Sequence, residues 1–558
     1  MKLSDQAVLI ARLRDVLGEK VGTSSVRLLE THISYVLLTG EYVYKIKKAV
    51  NLGFLDFSTL ELRRFYCEEE LRLNQRYAPK LYLEVVAIGG TPQVPTLGGP
   101  GAAIEYAVKM REFAQDDLAG NLLARGELGE AQIDLLAAKL AAFHASCARM
   151  NPQAAHATAQ AILRPARDNF SEMRRLLGEH AGQAEHAESA KRVDRVEPGG
   201  NADLDFLAQW TEHEFAARAS TFEQRRGEGH VRECHGDLHL GNIARIDGEL
   251  AFFDCIEFNE GFRWIDVMNE VAFLVMDLDD HGRADLAYRL LNAYLEHTGD
   301  YAGLAVLRFY VVYRAMVRAK IALMRVAQSD AVAGELPDEA LGYLRLARRW
   351  AQPERAALIL THGLSGCGKT TVSQGLLQAI GAIRVRSDVE RKRLAGMAAS
   401  ARSGAAIGGG LYAEDMGEAT YQRLLSAAQA ILAAGYTAIV DATFLRRAQR
   451  RLFEGWAQAH AVALAILHLE APESILRERV ARRAREGQDA SEATPAVLEH
   501  QLRSQEPLVA AELPALIKHD ATRPVDAASS AALGRALLQH AWARQPQDAL
   551  PIGTERHA

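Results

Sequence analysis

Residues 355–380, RAALILTHGLSGCGKTTVSQGLLQAI, constrain the fold more than any other stretch of the chain. The segment opens on an unbroken apolar run. A strand without polar alternation is buried on both faces, which is the condition of a parallel sheet covered by helices. Glycines follow, then a helical pattern. Gly363 to Thr370 fits G-x-x-x-x-G-K-[ST] in full, and the strand–loop–helix context is the one that pattern requires. Glycine lets consecutive N–H groups turn inward, and the helix N-terminus adds partial positive charge, so the loop is built for phosphate. TAIVDATF and VALAILHLEA repeat the apolar strand signature with helical stretches between them. Strand and helix in alternation predict a doubly wound parallel α/β domain over 355–545.

The chemistry expected of this loop is specific. Gly363, Ser365, Gly366, Cys367, Gly368, Lys369, Thr370 and Thr371 form the cradle, with Lys369 reaching the β- and γ-phosphates of ATP and the Thr370 hydroxyl ligating Mg2+. Asp441 ends the strand YTAIVD, where a carboxylate holds the magnesium shell; its plainer role is a helix cap. In RSDVERKRL, Asp388 stands at a strand end, on the edge where open α/β sheets bind ligands, and can take a proton from an acceptor hydroxyl. Arg391 can hold an anion there, or the segment is simply a capped, solvated helix start. Arg479 and Arg483 share a helix face in LRERVARRAREG; they are lid arginines or a solvated surface. These motifs together resemble the P-loop small-molecule kinases of the polynucleotide-kinase, gluconate-kinase and zeta-toxin group. The resemblance gives Asp388 the role of base or substrate binder and gives Arg479 and Arg483 the lid role.

The other half carries CHGDLHLGNI, residues 234–243. A protein-kinase catalytic loop reads H-R-D-x-x-x-x-N, with the Asp as base and the Asn on magnesium. Here the residues are His235, Gly236, Asp237 and Asn242. IARIDGELAFFDCIEF then predicts a hairpin with Asp247-Gly248 at the turn, closed by Asp254 where the second magnesium carboxylate belongs. A kinase also needs a strand lysine and a helix glutamate. EYVYKIKKAV offers Lys45, with Lys47 as the alternative on the same strand face, and CEEELRLN offers Glu68, Glu69 or Glu70, of which Glu70 is chosen. IEYAVKM near Met110 supplies the backbone hinge for adenine. His144 and His239 are expected to pack or hydrogen-bond. STLELRRFYCEEELRLNQRYAP reads as a helix capped by Ser58, and 263–299 and 303–328 as long helices.

This half resembles the aminoglycoside phosphotransferase family, whose HGDLHLGN form carries Gly where protein kinases carry Arg. The resemblance implies catalysis by Asp237 and magnesium on Asn242 and Asp254. It departs in the small lobe, where LLTGEY is the only hint of a glycine-rich loop. The whole chain is similar to bacterial two-domain proteins that join such a phosphotransferase-like domain to a P-loop ATPase or kinase domain. The expected fold is therefore mixed α/β and α+β. A bilobal, protein-kinase-like domain spans 1–345, and the P-loop domain follows after a charged, proline-bearing stretch at 329–355.

Bulk properties agree. A chain of 558 residues needs more than one core, and 49% hydrophobic with 24% charged residues is a globular composition. Net charge of −6 argues against general nucleic-acid affinity, although the arginines of RRAQRR permit a 5′-hydroxyl polynucleotide acceptor. Five scattered cysteines, no signal peptide in the amphipathic N-terminus and no membrane-length apolar run make the cytoplasm the expected location. The stretch 180–203 reads as loop or weak helix, and the tail after 543 as frayed. The expected function is ATP- and Mg2+-dependent phosphoryl transfer to small hydroxylated acceptors at two sites. The rival is a nucleotide-driven switch whose first domain has lost catalysis.

Overall fold

The computed structural model describes residues 3–21, 26–53, 55–98, 101–151, 158–184, 199–327, 337–399, 401, 414–486 and 493–544. Most of the 180–203 loop, part of the 329–355 stretch and the tail from 545 lie outside the described residues. The chain forms two compact units. One comprises Met1–Gln132, Ala142–Ala161 and Glu223–Asp277; the other comprises Ile133–Ala141, Ile162–Phe222 and Leu278–Ala558.

The first unit is built on an antiparallel sheet of β1 (Arg27–Glu30), β2 (Ser34–Leu38), β3 (Tyr42–Lys47), β4 (Tyr82–Thr91), β5 (Val94–Leu97) and β6 (Glu105–Arg111), in the order β1-β2-β3-β6-β4-β5. The N-terminal helix Leu3–Val21 lays Leu9, Ile10, Leu13 and Leu17 on Leu37, Ile46, Ile88 and Ala107. The helix Leu60–Gln75 is capped by Thr59, whose hydroxyl accepts from Leu62 N at 3.2 Å, and not by Ser58. Ser58 is held in the preceding turn, its N–H on Asp56 at 2.9 Å.

Further along, β7 (Val231–Glu233) leads into CHGDLHLGNI, and β8 (Ile243–Ile246) and β9 (Glu249–Phe252) form the expected hairpin. Asp247 and Gly248 take φ of 52° and 83°, the paired left-handed residues a two-residue hairpin turn needs. The expected helix from 263 is interrupted. Residues 264–266 form β10 (Trp264–Asp266), antiparallel to β7, and helix resumes as Val267–Asp280, Ala284–Thr298 and Leu304–Ala327. Arg225 locks that strand by gripping Asp266 at 2.7 and 2.9 Å, a pairing across sequence that local periodicity cannot register.

The second unit holds a five-stranded, fully parallel sheet: β11 (Leu358–His362), β12 (Ile383–Arg386), β13 (Ala438–Asp441), β14 (Leu464–Glu470) and β15 (Leu516–Asp520), ordered β12-β13-β11-β14-β15. Its core joins Ile359, Ile439, Ala465 and Leu467 to Leu376, Leu377 and Leu537 from the covering helices. The helices Ala284–Thr298, Leu304–Ala327 and Asp338–Ala351 belong to this same unit.

In the first unit a fully buried ion pair ties helix to sheet. Arg63 Nε donates to Glu105 at 2.8 and 3.0 Å, and both side chains have no exposure. Gln6 Nε2 donates to the same Glu105 at 2.9 Å and to Lys47 O at 2.8 Å. The N-terminal helix is thereby fixed to the strand that carries Lys45. Glu105→Gln leaves a buried guanidinium without its counter-charge, and we expect a loss of about 3 kcal/mol of stability in urea unfolding. A loss below about 1 kcal/mol would mean that the pair does not anchor the sheet.

Candidate active sites

In the first unit Lys45 and Lys47 do point from one strand face, and both reach Glu70. Lys45 Nζ donates to Glu70 Oε1 at 2.9 Å, and Lys47 Nζ to Glu70 Oε2 at 2.7 Å. Burial separates them. Lys47 is 1% exposed and also bonds Glu257, whereas Lys45 is 15% exposed and turns toward Asp254 Oδ1 at 2.5 Å. The strand lysine, helix glutamate and post-hairpin aspartate are thus brought together, with Lys45 as the accessible cation. Burial opposes charge on both lysines, yet Asp254 and Glu70 raise Lys45 well above the usual lysine range, and Glu257 and Glu70 raise Lys47. Burial likewise opposes charge on Glu70, but the two ammonium groups hold it well below the usual carboxylate range. Glu68 is exposed and pairs with Arg64, so it is outside the cluster.

The residues of the 235–242 loop are held by short hydrogen bonds among themselves. Asn242 Nδ2 donates to Asp237 Oδ2 at 3.0 Å and to Asp237 O at 2.9 Å. Asp237 is 37% exposed, and His239 Nε2 lies 3.6 Å from it. His239 also caps the short turn after it, accepting from Gly241 N at 3.1 Å. His235 is buried, which keeps its imidazole below the usual range. As a neutral ring it donates from Nε2 to Phe253 O (2.8 Å) and accepts at Nδ1 from Asp237 N (3.3 Å). Gly236 explains the missing Arg. Its φ is +88°, and a Cβ would fall 2.6 Å from Phe262 O. Its N–H goes to Glu270 Oε2 at 2.8 Å, while His144 holds Oε1 at 3.1 Å. Asp254, at φ 64°, is a strained non-glycine residue whose N–H bonds the Tyr82 hydroxyl at 3.1 Å.

The structure does not bring Met110 into this cluster. It lies within β6, in register with Val43 on one side and Tyr82 on the other, so its backbone is enclosed by strands. The sheet ends at Arg111, and the next N–H, of Glu112, is taken by Glu41 O at 2.9 Å. The two turns before the Lys45 strand are short. Thr31 closes the first, accepting from Ser34 N at 2.9 Å, and Thr39 closes the second around Gly40, whose N–H is taken by Glu112 at 2.7 Å.

In the second unit the glycine loop joins β11 to the helix Lys369–Ile380. Gly363, Gly366 and Gly368 all have positive φ, and a Cβ at Gly363 or Gly366 would meet a carbonyl oxygen at 2.8 Å. Lys369 Nζ donates to Gly363 O (3.0 Å) and Leu364 O (2.9 Å). Cys367 is buried under the loop. Ser365, Gly366, Gly368, Lys369 and Thr370 open on a cavity of about 480 Å³ that Asp388, Arg391, Asp441 and Arg446 also line. Asp388 lies in the first turn of the helix Ser387–Leu394, 3.3 Å from Arg391. A second cavity of about 720 Å³ takes in Thr371, Arg479 and the loop Thr522–Val525, and Arg483 lines both. Arg479 spans from Gly366 O (3.4 Å) to Ala521 O (3.0 Å). Within the basic run at 446–451, Arg450 turns inward and is fully buried on Glu512 at 2.6 Å, while Arg446 and Arg451 are exposed.

Both sites offer hard oxygen donors: an amide and a carboxylate in Asn242 and Asp254, a hydroxyl and a carboxylate in Thr370 and Asp441. Such sets suit Mg2+ better than a softer metal. Sequence reasoning missed Lys47–Glu257, Glu270 and the pair His362–His468. The last two side chains meet Nδ1 to Nδ1 at 2.7 Å at the root of the glycine loop. Burial, with help from His468, pushes His362 down to about 3. A histidine depressed in the folded state binds its proton more tightly when unfolded, so it stabilises above pH 6.5 and loses that contribution as pH falls toward 3. We expect the second unit to unfold at lower temperature as pH drops from 7 to 4, and His362→Gln to flatten that slope in calorimetry; an unchanged slope would refute the assignment.

Residues 68–310 match the phosphotransferase enzyme family, and residues 358–508 match the AAA domain. Uncharacterized proteins of Mycobacterium bovis and Mycobacterium tuberculosis are each 30% identical over 473 residues, 84% of this chain and 88% of theirs. Among solved structures, a choline/ethanolamine kinase family protein from Mesorhizobium loti is 13% identical at a TM-score of 0.35, over 62% of this chain and 95% of its own. A gluconokinase from Sinorhizobium meliloti is 22% identical at a TM-score of 0.24, over 34% and 97%. The chain belongs to one family with the mycobacterial proteins, as a two-domain member that joins a phosphotransferase-enzyme segment to a C-terminal P-loop, kinase-like AAA segment.

Proposed function

We propose that the chain is an ATP- and Mg2+-dependent phosphotransferase with two nucleotide sites, each passing the γ-phosphoryl group to a hydroxyl of a small acceptor. The functional division follows the sequence, 1–345 and 355–545. The observation that carries the reading is Lys45 held between Glu70 and Asp254, at 2.9 and 2.5 Å. A lysine so placed can bind phosphate oxygens only because a fixed glutamate aims it.

In the first site Asp237 accepts the acceptor proton, Asn242 fixes Asp237, and Asn242 with Asp254 would hold magnesium. Adenine would bind to backbone just past β6, at the strand end near Met110. In the second, Lys369 and the loop N–H groups hold the phosphates, Thr370 and Asp441 would hold magnesium, and Arg479 and Arg483 close over the transferred group. Magnesium supplies charge neutralisation between phosphates. Asp388 takes the acceptor proton, and Arg391 beside it favours an acceptor bearing an anionic group. A cavity of about 480 Å³ suits a small molecule, and the inward turn of Arg450 weakens the polynucleotide alternative.

One observation favours the rival reading, a nucleotide switch with an inactive first domain. The turns before the Lys45 strand are closed on themselves, and Glu112 occupies the Gly40 N–H. Acceptor phosphorylation separates the readings. Asp237→Asn is expected to lower transfer at the first site by about 100-fold or more, with nucleotide binding retained. Lys369→Ala is expected to cost the second site about 2 kcal/mol of nucleotide affinity. Each is read with a mixed panel of sugars, aminoglycosides, nucleosides and 5′-hydroxyl oligonucleotides. If Asp237→Asn leaves all transfer intact, the first domain is not an enzyme.

A further inference from the structure

The edge of the parallel sheet in the second unit is covered by a helix that lies, in sequence, within the phosphotransferase segment. β12 is the outermost strand, and an edge strand carries unpaired N–H and C=O groups. Asn292, on the helix Ala284–Thr298, serves two groups of this edge. Its Nδ2 donates to Ala382 O at 3.0 Å, and its Oδ1 accepts from Arg384 N at 2.7 Å. One amide side chain thus does what a neighbouring strand would do. Gly381 at the start of that strand admits the helix, since a Cβ there would lie 2.7 Å from the Tyr288 ring.

One turn along the same helix face stands Glu296. Its Oε1 accepts from Arg384 Nη2 at 2.7 Å and Nε at 3.2 Å, and its Oε2 lies 3.6 Å from Arg386 Nη1. The two arginines lead to different places. Arg384, buried, donates from Nη1 to Thr370 O at 3.1 Å and to the Ser373 hydroxyl at 3.2 Å. That hydroxyl is 3.2 Å from Thr370 O and 3.3 Å from Asp441 Oδ2. Arg386 lines both cavities of the site. Glu296 itself lines neither cavity, yet it pairs with the cation beneath Thr370 and Asp441 and with the cation in the cavity wall.

We infer that Glu296 is a positioning residue for the magnesium–nucleotide end of the P-loop site, acting through Arg384 and Arg386. The inference rests on the reading of Lys369, Thr370 and Asp441 as a nucleotide–magnesium site. Its physical basis is charge balance in a buried place. Arg384 has 5% side-chain exposure and no room to reach solvent. With its carboxylate gone, the guanidinium must find another anion, and Asp441 is already linked to it through the Ser373 hydroxyl. An Asp441 drawn toward Arg384 is a poorer magnesium ligand. Burial opposes charge on Glu296, but Arg384 and Arg386 overcome it and keep the carboxyl below its usual range, so it is ionised at neutral pH.

The test is calorimetric titration of the full chain with a non-hydrolysable ATP analogue, in Mg2+ and in EDTA. It is carried out in an Asp254→Ala background, so that the P-loop site dominates the signal. Glu296→Gln is expected to weaken binding about tenfold in Mg2+ and less than threefold in EDTA. Glu296→Asp keeps the charge and draws it back by one methylene; it is expected to fold and to fall between. Arg308→Ala serves as the structural comparison. Arg308 holds Gly435 O at 3.0 Å and Trp350 O at 3.3 Å in the same unit, away from the loop. It should lower the unfolding temperature and leave the affinity in Mg2+ unchanged. The inference is overturned if both Glu296 variants bind within twofold of the parent in Mg2+, or if affinity falls equally in EDTA. Should Glu296→Gln not fold, Glu296→Asp decides by the same criterion. Lys369→Ala keeps the two failures apart: if it binds like the parent, the nucleotide reading itself is wrong; if it loses binding while the Glu296 variants keep theirs, only the positioning role falls.

Discussion

A buried carboxylate has two oxygens, and leaving either without a partner is costly. This protein uses that constraint repeatedly to join segments far apart in sequence. Glu70 gives one oxygen to Lys45 and the other to Lys47. Glu105 serves Arg63 and Gln6, and Glu270 serves His144 and the Gly236 N–H. Glu390 takes Arg423 in addition to Arg393 of its own helix, and Glu296 takes Arg384 and Arg386. Each is a junction between two elements that share no local sequence signal. Each candidate site has a cation held this way, Lys45 by Glu70 in the first unit and Arg386 by Glu296 in the second.

Glu70 shows why the arrangement matters for chemistry. A lone buried glutamate would rise in pKa and become neutral, and a lone lysine would lose its proton. Two ammonium groups on one carboxylate reverse this, and all three stay charged. Lys47, kept charged by Glu257 and Glu70, holds the Glu70 carboxylate ionised from the inside. Lys45 is then left with an ammonium directed outward, toward Asp254. The second lysine is thus no redundant copy of the first: it stabilises the charge on Glu70 that aims Lys45.

The legible parts of the sequence were those whose chemistry is fixed by short spacing. Asp237 and Asn242 are five residues apart, and their hydrogen bond follows from the turn between them. The glycine loop and its strand and helix were legible for the same reason. Lys45 and Lys47 were not separable, since a strand places both on one face, and only the packing of Glu257 decides which is buried. Glu70 was one of three adjacent glutamates, distinguished by which way its helix faces the sheet. Met110 stands inside β6, paired with Val43 and Tyr82, so the sequence pattern names the strand but not where its end falls. Ser58 lost the cap to Thr59 by one residue for a comparable reason. What periodicity could not carry at all were contacts such as Arg225 with Asp266, Arg63 with Glu105 and Glu296 with Arg384. These depend on which faces meet after folding, and a polar residue on a helix reads as surface until its partner is known.

Such charge pairs also limit how the chain can be divided. The change of rhythm near residue 350 marks where parallel α/β patterning begins, and the AAA match starts at residue 358. Yet β12 completes its outer edge with Asn292, and Arg384 takes its counter-charge from Glu296, both on a helix that precedes that point. A fragment cut there would expose an edge strand and bury an unpaired guanidinium, two of the costlier defects a small sheet can have. The pattern of the sequence and the closure of the fold therefore need not share a boundary. Motif spacing reports where an element type begins, and charge pairing reports what that element requires in order to stand. The activities of the two sites are for this reason better separated by single substitutions in the intact chain than by truncation.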